Sequence, residues 1–436
     1  MSKKPKKLSD ILQKLGIDKL NPMQEEAKFT IHSEPNVVLL SPTGTGKTLA
    51  FLLPIIESVN NELNEVQSLI LAPSRELAIQ IEQVAREMGS GLKINAFYGG
   101  RKFSKDKIEL QTPPAILIGT PGRIADHLRK ETFSTKNLEI LVLDEFDKSL
   151  EIGFELDMTE IVEALLFLKK RILTSATQGV EIPDFMGIKH LTTIDYLGEK
   201  ESKLQIKTVT SPSKDKLEIL VKLLNHIGEK SGLIFCNFKD SIQRVSDFLI
   251  EHSIPHGCFY GGMEQNDREN ALIKFRNGTH RLLVATDLAA RGIDVPEMDF
   301  IIHYHLPLKS EEFTHRNGRT ARMHANGTAY VLNWSGEPLP DFIESDGTEE
   351  LVEAASPNPT KWKTLFISGG RKDKISKGDI AGLFLKQGKL SKEDVGIIEL
   401  KTESAFVAVK ASKIKQLIPL VNNTRLKKKK IRVSLI

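Results

Sequence analysis

Short apolar runs alternate with longer amphipathic stretches in two series, one from Val37 to about Thr174 and one from about Leu204 onward. A short apolar run bounded by turn residues is typical of a buried strand, and apolar residues repeated every three or four positions are typical of a helix. Their alternation predicts a doubly wound parallel sheet in each series, with ligands bound where the strands end. The predicted strands are Val37–Leu40, Leu69–Ala72, Ile94–Phe97, Ala115–Ile118, Ile140–Leu143 and Arg171–Leu173, then Leu233–Cys236, Gly257–Tyr260, Leu282–Ala285, Phe300–His303 and Thr328–Leu332. The predicted helices include Arg75–Met88, Met158–Leu168, Lys214–Ile227, Asp240–His252, Gln265–Arg276 and Glu311–Gly318.

The pattern changes after the second series. Residues 335–360 are acidic and rich in Pro, Gly and Ser, which predicts a linker. Strands at 365–367 and 405–409, with helices near 378–387 and 411–421, then suit a small βαββαβ sheet. We therefore expect an α/β protein in four segments. These are a first parallel-sheet domain over 1–203, a second over 204–334, a linker over 335–360 and a small α+β domain over 361–436.

Charge is distributed unevenly along the chain. Residues 361–436 contain 19 Lys and Arg against 6 Asp and Glu, a net charge of +13, so the preceding residues carry −9 of the total of +4. A basic module on an acidic body predicts a polyanion partner, the alternative being a solvated lysine-rich face. No apolar run is long enough to predict a membrane span. The spacing of Cys236 and Cys258 fits neither a zinc site nor a disulfide framework, so a reducing cytoplasm is expected.

The stretch Ser41–Thr48 joins a predicted strand to a predicted helix start and has the glycine-rich pattern of a phosphate loop. The backbone N–H groups of such a loop point at the anion, and glycines let the backbone approach it. Lys47 would pair with the β- and γ-phosphates of ATP, and the Thr48 hydroxyl would reach Mg²⁺. The first position holds Ser41 where the strict pattern has Gly. The candidate nucleotide-binding residues are Ser41, Thr43, Gly44, Thr45, Gly46, Lys47 and Thr48.

Two adjacent carboxylates, Asp144 and Glu145, directly follow the predicted strand Ile140–Leu143. A carboxylate at a strand end beside a phosphate loop lies where Mg²⁺ must be held. We assign Asp144 to Mg²⁺, together with Thr48 and partly through water. Glu145 is assigned to the attacking water as its general base. With the phosphate loop, the pair predicts ATP hydrolysis.

The whole set of motifs resembles the DEAD-box ATP-dependent RNA helicases in order and spacing, over roughly residues 8–333. The resemblance implies two RecA-like domains that close on ATP and RNA, bend one strand so that a short duplex falls apart, and reopen after hydrolysis. Ser175 and Thr177 would couple the nucleotide state to closure. The matching segments are Asn21–Gln24, Ser41–Thr48, Pro73–Ala78, Gly99–Gly100, Thr120–Arg123, Asp144–Asp147, Ser175–Thr177, Gln265 with Arg268, Thr286–Asp294 and His315–Arg322.

The resemblance also implies roles for single residues. Gln24 would recognise the adenine edge, because a side-chain amide offers both a donor and an acceptor, and Asp294 would lie near the ribose. Arg319 and Arg322 would stabilise the charge that develops on the γ-phosphate. The implied RNA contacts are Arg75, Gly99, Gly100, Thr120 and Arg123 in the first domain and Gln265, Arg268 and Thr286 in the second.

Three departures from the family pattern stand out. Phe146 replaces the Ala of Asp-Glu-Ala-Asp, so activity is expected but neighbouring loops must accommodate the ring. Asn317 and Ala321 replace two residues of the arginine-rich motif, which keeps its three arginines. The aromatic that usually stacks on adenine is missing near Leu8, so adenine selectivity is expected to be looser.

Nearly all of residues 363–436 resemble the C-terminal domain of the DbpA-type bacterial helicases, notably in 364–374 and 404–409. That resemblance implies an RRM-like fold and, as its target, a hairpin of large-subunit ribosomal RNA. Among the usual RNA-stacking positions, Phe366 is aromatic, whereas Ser404 and Val409 are not, and Phe406 is expected to pack in the core. We therefore expect basic loops and the tail 425–430 to bind RNA. The candidate residues are Arg371, Lys372, Lys374 and Lys377.

These observations predict an RNA-stimulated ATPase that unwinds short duplexes and is targeted to 23S rRNA, acting on pre-ribosomal particles in large-subunit assembly. Two alternatives remain open. One is a general RNA helicase in RNA decay or cold adaptation, and the other is a non-hydrolysing RNA clamp or chaperone in which Phe146 abolishes hydrolysis. ATP and Mg²⁺ are the expected cofactors, and a cytoplasmic monomer without membrane contact is the expected state.

Overall fold

The structure is a computed structural model that describes residues 8–151, 153–177, 181–198, 204–287, 298–320 and 326–436. The described residues fall into two compact units, one ending at Gly198 and the other beginning at Leu204. The first unit carries one parallel sheet, and the second carries another parallel sheet together with a four-stranded and a two-stranded antiparallel sheet. None of the helices in the described ranges has the length and hydropathy that a bilayer crossing requires.

Seven parallel strands form the sheet of the first unit. Three adjacent inner strands, Ile116–Gly119, Ser68–Leu71 and Ile140–Leu143, are fully buried, as expected of a sheet covered on both faces, and successive residues point to opposite faces. Thus Leu69 and Leu71 pack in one core cluster and Ile70 packs in the other. The strands are β1 (Asn36–Leu40), β2 (Ser68–Leu71), β3 (Ile94–Phe97), β4 (Ile116–Gly119), β5 (Ile140–Leu143), β6 (Lys170–Ser175) and β7 (Thr192–Asp195), in the sheet order β3–β4–β2–β5–β6–β1–β7. The helices are α1 (Leu8–Leu15), α2 (Pro22–Ser33), α3 (Lys47–Ser58), α4 (Arg75–Met88), α5 (Phe103–Leu110), α6 (Pro121–Arg129), α7 (Phe146–Glu151) and α8 (Glu155–Ala164).

Six parallel strands form the larger sheet of the second unit, so the predicted fold class of two doubly wound, RecA-like domains is confirmed. Two edge strands, β7 and β8, were not predicted, because neither has a continuous apolar run. The predicted helix Met158–Leu168 is displaced toward the N-terminus, since α8 begins at Glu155 and ends at Ala164. The strands are β8 (Leu204–Ser211), β9 (Gly232–Phe235), β10 (His256–Phe259), β11 (Leu282–Ala285), β12 (Phe300–His303) and β13 (Gly327–Trp334), in the sheet order β10–β11–β9–β12–β13–β8. The helices are α9 (Leu217–Ile227), α10 (Lys239–Glu251), α11 (Gln265–Arg276) and α12 (Ser310–Asn317).

The C-terminal module is the predicted small α+β domain. One face of its sheet packs on two helices through a core that includes Leu365 and Val407. Phe406 is buried, as expected, but alternation along its strand turns it to the sheet face opposite this cluster. There its ring meets Phe366 edge to face, with centroids 5.6 Å apart. The elements are β14 (Trp362–Ile367), β15 (Val395–Leu400), β16 (Ala405–Lys410), β17 (Arg425–Leu426), β18 (Lys429–Lys430), β19 (Val433–Leu435), α13 (Lys377–Gly382) and α14 (Ile414–Val421).

The segment 335–360, predicted as a linker, contains neither a helix nor a strand longer than a single bridge, yet it packs on the second unit. Ile343 is buried in an apolar cluster. The Thr208 amide donates to the Gly347 carbonyl at 2.9 Å, and Glu349 lies 3.1 Å from the His226 imidazole. The segment therefore follows the edge strand β8 and is fixed by backbone and side-chain bonds.

The C-terminal module contacts the end of α11 through the sheet face that carries Phe366. Arg276 donates to both carboxylate oxygens of Glu399 at 2.7 Å, and the Thr279 and Thr364 hydroxyls lie 2.7 Å apart. A two-bond guanidinium–carboxylate pair, less than one-fifth exposed on each side, fixes orientation as well as contributing energy. This face is therefore partly used inside the protein.

Arg276→Glu is expected to weaken this contact by about 1–3 kcal/mol, because it places two carboxylates side by side. Trypsin should then release the module faster by cutting near Lys361. The double variant Arg276→Glu/Glu399→Arg should restore the slow rate. Arg244→Glu, which breaks an exposed ion pair with Asp215, is the control and should leave the rate unchanged. Equal cleavage of Arg276→Glu and the wild type would contradict the prediction.

Candidate ATP and RNA sites

The phosphate loop predicted from the sequence connects β1 to the first residue of α3. Gly44 and Gly46 have φ angles of 85° and 88°, a region that favours glycine. A Cβ at Gly46 would lie 2.4 Å from Nε2 of the Gln24 side chain, so a larger residue would clash with it. Gly46 is the N-cap of α3 and supplies no side-chain cap, so the first amides of the helix suit an anionic ligand. The loop therefore fits the phosphates of a nucleotide.

Lys47 begins α3 and is buried within the loop. Its ammonium donates to the backbone carbonyls of Ser41 and Pro42. The departure at Ser41 has a local explanation, because its hydroxyl lies 2.8 Å from the Thr45 hydroxyl and the two share a hydrogen bond. Thr45 also donates to the Pro42 carbonyl at 2.9 Å. These bonds hold the loop compactly around the lysine.

Gln24 ties the start of α2 to the phosphate loop. Its side-chain oxygen accepts the Asn21 amide at 3.1 Å, while its side-chain nitrogen donates to the Gly46 carbonyl at 3.3 Å. Asn21 caps α2 and donates from its side chain to the Thr45 carbonyl at 3.0 Å. Gln24 therefore holds α2 against the phosphate loop, a structural role that the sequence did not suggest. Its recognition of adenine stays a prediction.

The two candidate catalytic carboxylates lie at the end of β5. Burial raises the pKa of the Asp144 carboxyl to about 6, and the charge of Glu145 adds to the rise. The Thr174 hydroxyl donates to Asp144 at 2.5 Å, and this bond and the Lys47 ammonium oppose the rise. A buried carboxylate near a phosphate loop fits Mg²⁺, which prefers oxygen ligands and is usually shared with phosphates. Mg²⁺ bound there would neutralise phosphate charge.

Glu145 has a left-handed backbone, with φ at 49°, which is uncommon for a residue with a side chain. Its amide donates to the Thr174 hydroxyl at 3.1 Å. Thr174 therefore holds the Asp144 carboxylate and the Glu145 backbone, although the sequence did not single it out. Its position in β6, beside β5, is the signal that could have found it.

Phe146 lies in the core beneath this edge of the sheet. Its side chain is 2% exposed and packs in an apolar cluster that includes Leu143, Met158 and Leu173. The ring is thus accommodated by the domain core, whereas the sequence suggested neighbouring loops. The next residue, Asp147, accepts from the Thr177 hydroxyl at 3.0 Å. Asp147 therefore joins the Asp144–Asp147 motif to the segment Ser175–Thr177.

Three of the predicted RNA-contact segments of the first unit meet on one surface. The Arg75 guanidinium lies against the turn at Gly99 and Gly100, where a Cβ on Gly100 would come within 2.6 Å of it. Thr120 is the N-cap of α6, and its amide donates to the carbonyl of Phe97 at 3.2 Å. Arg123 follows in the first turn of α6.

The predicted RNA-contact residues of the second unit lie around the start of α11. Gln265 is its first residue, and Arg268 donates to the Tyr260 carbonyl at 3.2 Å while its guanidinium lies 4.5 Å from the Phe259 ring centroid. Thr286 follows β11, and its amide donates to the Phe259 carbonyl at 3.4 Å. The structure therefore places Arg268 and Thr286 together at the end of β10.

The arginine-rich segment begins in α12. Arg316 is 1% exposed and donates to both oxygens of Asp287, at 2.6 and 2.5 Å. It also donates to the Asn237 side chain at 2.8 Å. Arg316 thus anchors the segment, and Arg319 lies one turn later. Asp294 and Arg322, also predicted as site residues, lie outside the described residues.

Asn317, one of the departures from the family pattern, has a specific partner. Its side-chain oxygen lies 3.0 Å from the imidazole nitrogen Nε2 of His303, and both side chains are buried. Burial lowers the pKa of His303 to about 3, and the charge of Arg316 contributes. The imidazole is therefore neutral at physiological pH and donates to Asn317.

All four basic residues predicted to bind RNA in the C-terminal module are exposed. Asp379, in the first turn of α13, has its pKa lowered to about 2 by hydrogen bonds from Ser376 and by Lys427. It therefore stays ionised and holds Lys427 at 3.0 Å, which orders the tail beside the loop. The exposed residues are Arg371, Lys372, Lys374 and Lys377.

Family descriptions match three successive parts of the chain. A DEAD/DEAH box helicase model matches residues 21–185, and a helicase conserved C-terminal domain model matches residues 215–324. A DbpA RNA binding domain model matches residues 364–435. The first range covers most of the first parallel sheet, the second covers most of the second parallel sheet, and the third lies within the C-terminal module.

Individual relatives agree with these matches. The ATP-dependent RNA helicase DbpA of Bacillus subtilis is 31% identical over 97% of this chain and 96% of its own. The protein of the same name from Escherichia coli is 31% identical over 98% and 96%. The solved structure of S. cerevisiae Dbp5 bound to RNA and ADP BeF3 is 26% identical over 75% of this chain and 87% of its own, with a TM-score of 0.67. The chain therefore belongs to the DEAD-box ATP-dependent RNA helicases.

Proposed function

We propose that this helicase acts in large ribosomal subunit assembly, with its C-terminal module tethering it to 23S rRNA in pre-ribosomal particles. The observation that carries the proposal is the match of residues 364–435 to a DbpA RNA binding domain, in a module of net charge +13. ATP would be held with Mg²⁺ at Lys47, Thr48 and Asp144, and Glu145 would activate the attacking water. Action as a monomer in the cytoplasm is part of the same proposal.

The surface through which the module would bind rRNA is the exposed basic loop around Arg371–Lys377. In many RRM-like domains the sheet face stacks bases, but here that face contacts α11 through Glu399 and Thr364. The loop carries four exposed cations, of which Lys372 lies 3.6 Å from the exposed Glu403 of the same module. Electrostatic contact with phosphates should make its binding strongly salt-dependent.

The test is steady-state ATP hydrolysis by the full chain with three additions: no RNA, an unrelated single-stranded RNA, and a large-subunit rRNA fragment carrying the peptidyl-transferase-region hairpin. We expect strong stimulation by the rRNA fragment alone at low RNA concentration. Reversing the charges of the basic loop should raise the half-saturating concentration of the fragment by about tenfold or more. The loop variant is Arg371→Glu/Lys372→Glu/Lys374→Glu/Lys377→Glu.

The control reverses four exposed lysines elsewhere in the module and therefore has the same net charge. If the two variants lose affinity equally, the module binds without a defined surface. Equal stimulation of the wild type by both RNAs would favour a general RNA helicase in decay or cold adaptation. ATP binding without turnover would favour a clamp. The control variant is Lys386→Glu/Lys389→Glu/Lys392→Glu/Lys415→Glu.

A further inference from the structure

A buried carboxylate that no motif includes lies beneath the RNA-facing loops of the first unit. Asp106, on α5, is completely buried. The Nε of Arg101 lies 2.6 Å from its Oδ1, while Arg123 donates from Nε and Nη2 to Oδ2 at 2.9 and 2.7 Å. The imidazole of His127 lies 3.2 Å from the same Oδ2. One carboxylate therefore gathers side chains from the loop after Gly100 and from α6.

Arg123 is also bonded directly to the backbone of the segment that carries Arg101. Arg123 donates from Nη2 to the backbone carbonyl of Arg101 at 2.9 Å, and its guanidinium lies 4.7 Å from the Phe103 ring centroid. Arg101 donates to the Ala96 carbonyl at 3.2 Å. Only one-tenth of the Arg123 side chain is exposed. Its hydrogen-bonding edge is therefore directed into the protein.

The segments that these bonds fix are the ones that the family resemblance assigns to RNA. Gly99 and Gly100 directly precede Arg101 and are covered by Arg75 on the other side. Thr120 caps the helix that carries Arg123, and the Arg123 amide donates back to the Thr120 carbonyl at 3.0 Å. Movement of Asp106 would therefore disturb both backbone segments together.

We propose that Asp106 is a positioning residue for RNA binding, which holds the Gly99–Gly100 turn and the start of α6 in one geometry through Arg101 and Arg123. In this view Arg123 acts by fixing the loops, and RNA is contacted by backbone and small side chains such as Thr120. Loops that are fixed before the ligand arrives lose less conformational entropy on binding. Two guanidiniums on one buried carboxylate provide that rigidity. The proposal rests on the proposed RNA contacts of the first unit.

The test compares full-length wild type with Asp106→Asn and Asp106→Ala. A labelled oligouridylate is titrated with ADP·BeF3 present and its fluorescence anisotropy is followed, and RNA-stimulated ATPase is measured in parallel. Asp106→Ala is expected to weaken RNA binding by about tenfold or more, and Asp106→Asn by less, since an amide oxygen still accepts from one guanidinium. The KM for ATP should stay within about twofold, because the phosphate loop is untouched. If Asp106→Ala does not fold, Asp106→Asn decides.

A double variant tests whether Asp106 affects RNA binding through Arg123. Asp106→Asn/Arg123→Ala should bind RNA no more weakly than Arg123→Ala alone, because both changes remove the same link. Asp126→Asn is the control, since Asp126 pairs with Arg129 on the exposed side of α6, and it should bind RNA normally. Unchanged RNA affinity in Asp106→Asn with only a lower Tm would overturn the proposal. If RNA did not stimulate ATP hydrolysis by the wild type, the proposed function would be refuted. The anisotropy titration would still decide whether Asp106 positions the RNA-binding loops.

Discussion

Glu145→Gln is expected to reduce RNA-stimulated ATP turnover by roughly a hundredfold to ten-thousandfold, the usual range for loss of a general base. The substitution keeps the size of the side chain and leaves the hydrogen bond from the residue 145 backbone amide to the Thr174 hydroxyl in place. The left-handed backbone conformation of residue 145 should therefore persist. ATP should still bind, because Lys47 and the phosphate loop are unchanged. Steady-state kcat and the affinity for a fluorescent ATP analogue measure the two effects.

Glu139→Gln is the matched control. Glu139 lies just before β5, and its partly exposed side chain pairs with Lys169 at 2.6 Å. Its substitution should leave turnover within about twofold, because exposed ion pairs contribute little energy. If Glu145→Gln retained turnover close to the wild type, the water-activating base would have to be another group.

Phe146→Ala is expected to lower the free energy of unfolding of the first unit by about 3–5 kcal/mol, although it restores the family sequence Asp-Glu-Ala-Asp. The ring is 2% exposed among Met158, Leu143 and Leu173, so its removal leaves a cavity in a packed core. Turnover at low temperature should remain, because Asp144 and Glu145 are unchanged. Denaturant unfolding and ATPase measured at two temperatures separate stability from activity.

The control is Phe29→Ala, which removes the same ring from an exposed position, 76% accessible. Its free energy of unfolding should change by less than about 0.5 kcal/mol. A Phe146→Ala variant with unchanged stability and faster turnover would contradict the packing explanation. It would indicate that Phe146 restrains hydrolysis.

The fold class was predictable because its signals are local. Apolar runs such as Ile140–Leu143 have to be covered on both faces, so their alternation with amphipathic stretches leaves few architectures. The phosphate loop was equally predictable, since strand, glycines and Lys47 lie within one short stretch and the required backbone angles belong to glycine. The edge strands β7 and β8 were missed because they lack a continuous apolar run.

The sequence by itself determined the doubly wound domains, the nucleotide loop and the basic C-terminal module, because neighbouring residues carry each of these signals. Only the tertiary structure decided which distant groups meet. It placed Asp106 beneath Arg123, paired Arg276 with Glu399, and turned Phe406 to the outer face of its sheet. A buried charge is stable only where partners from other elements surround it, and those partners cannot be identified from spacing along the chain.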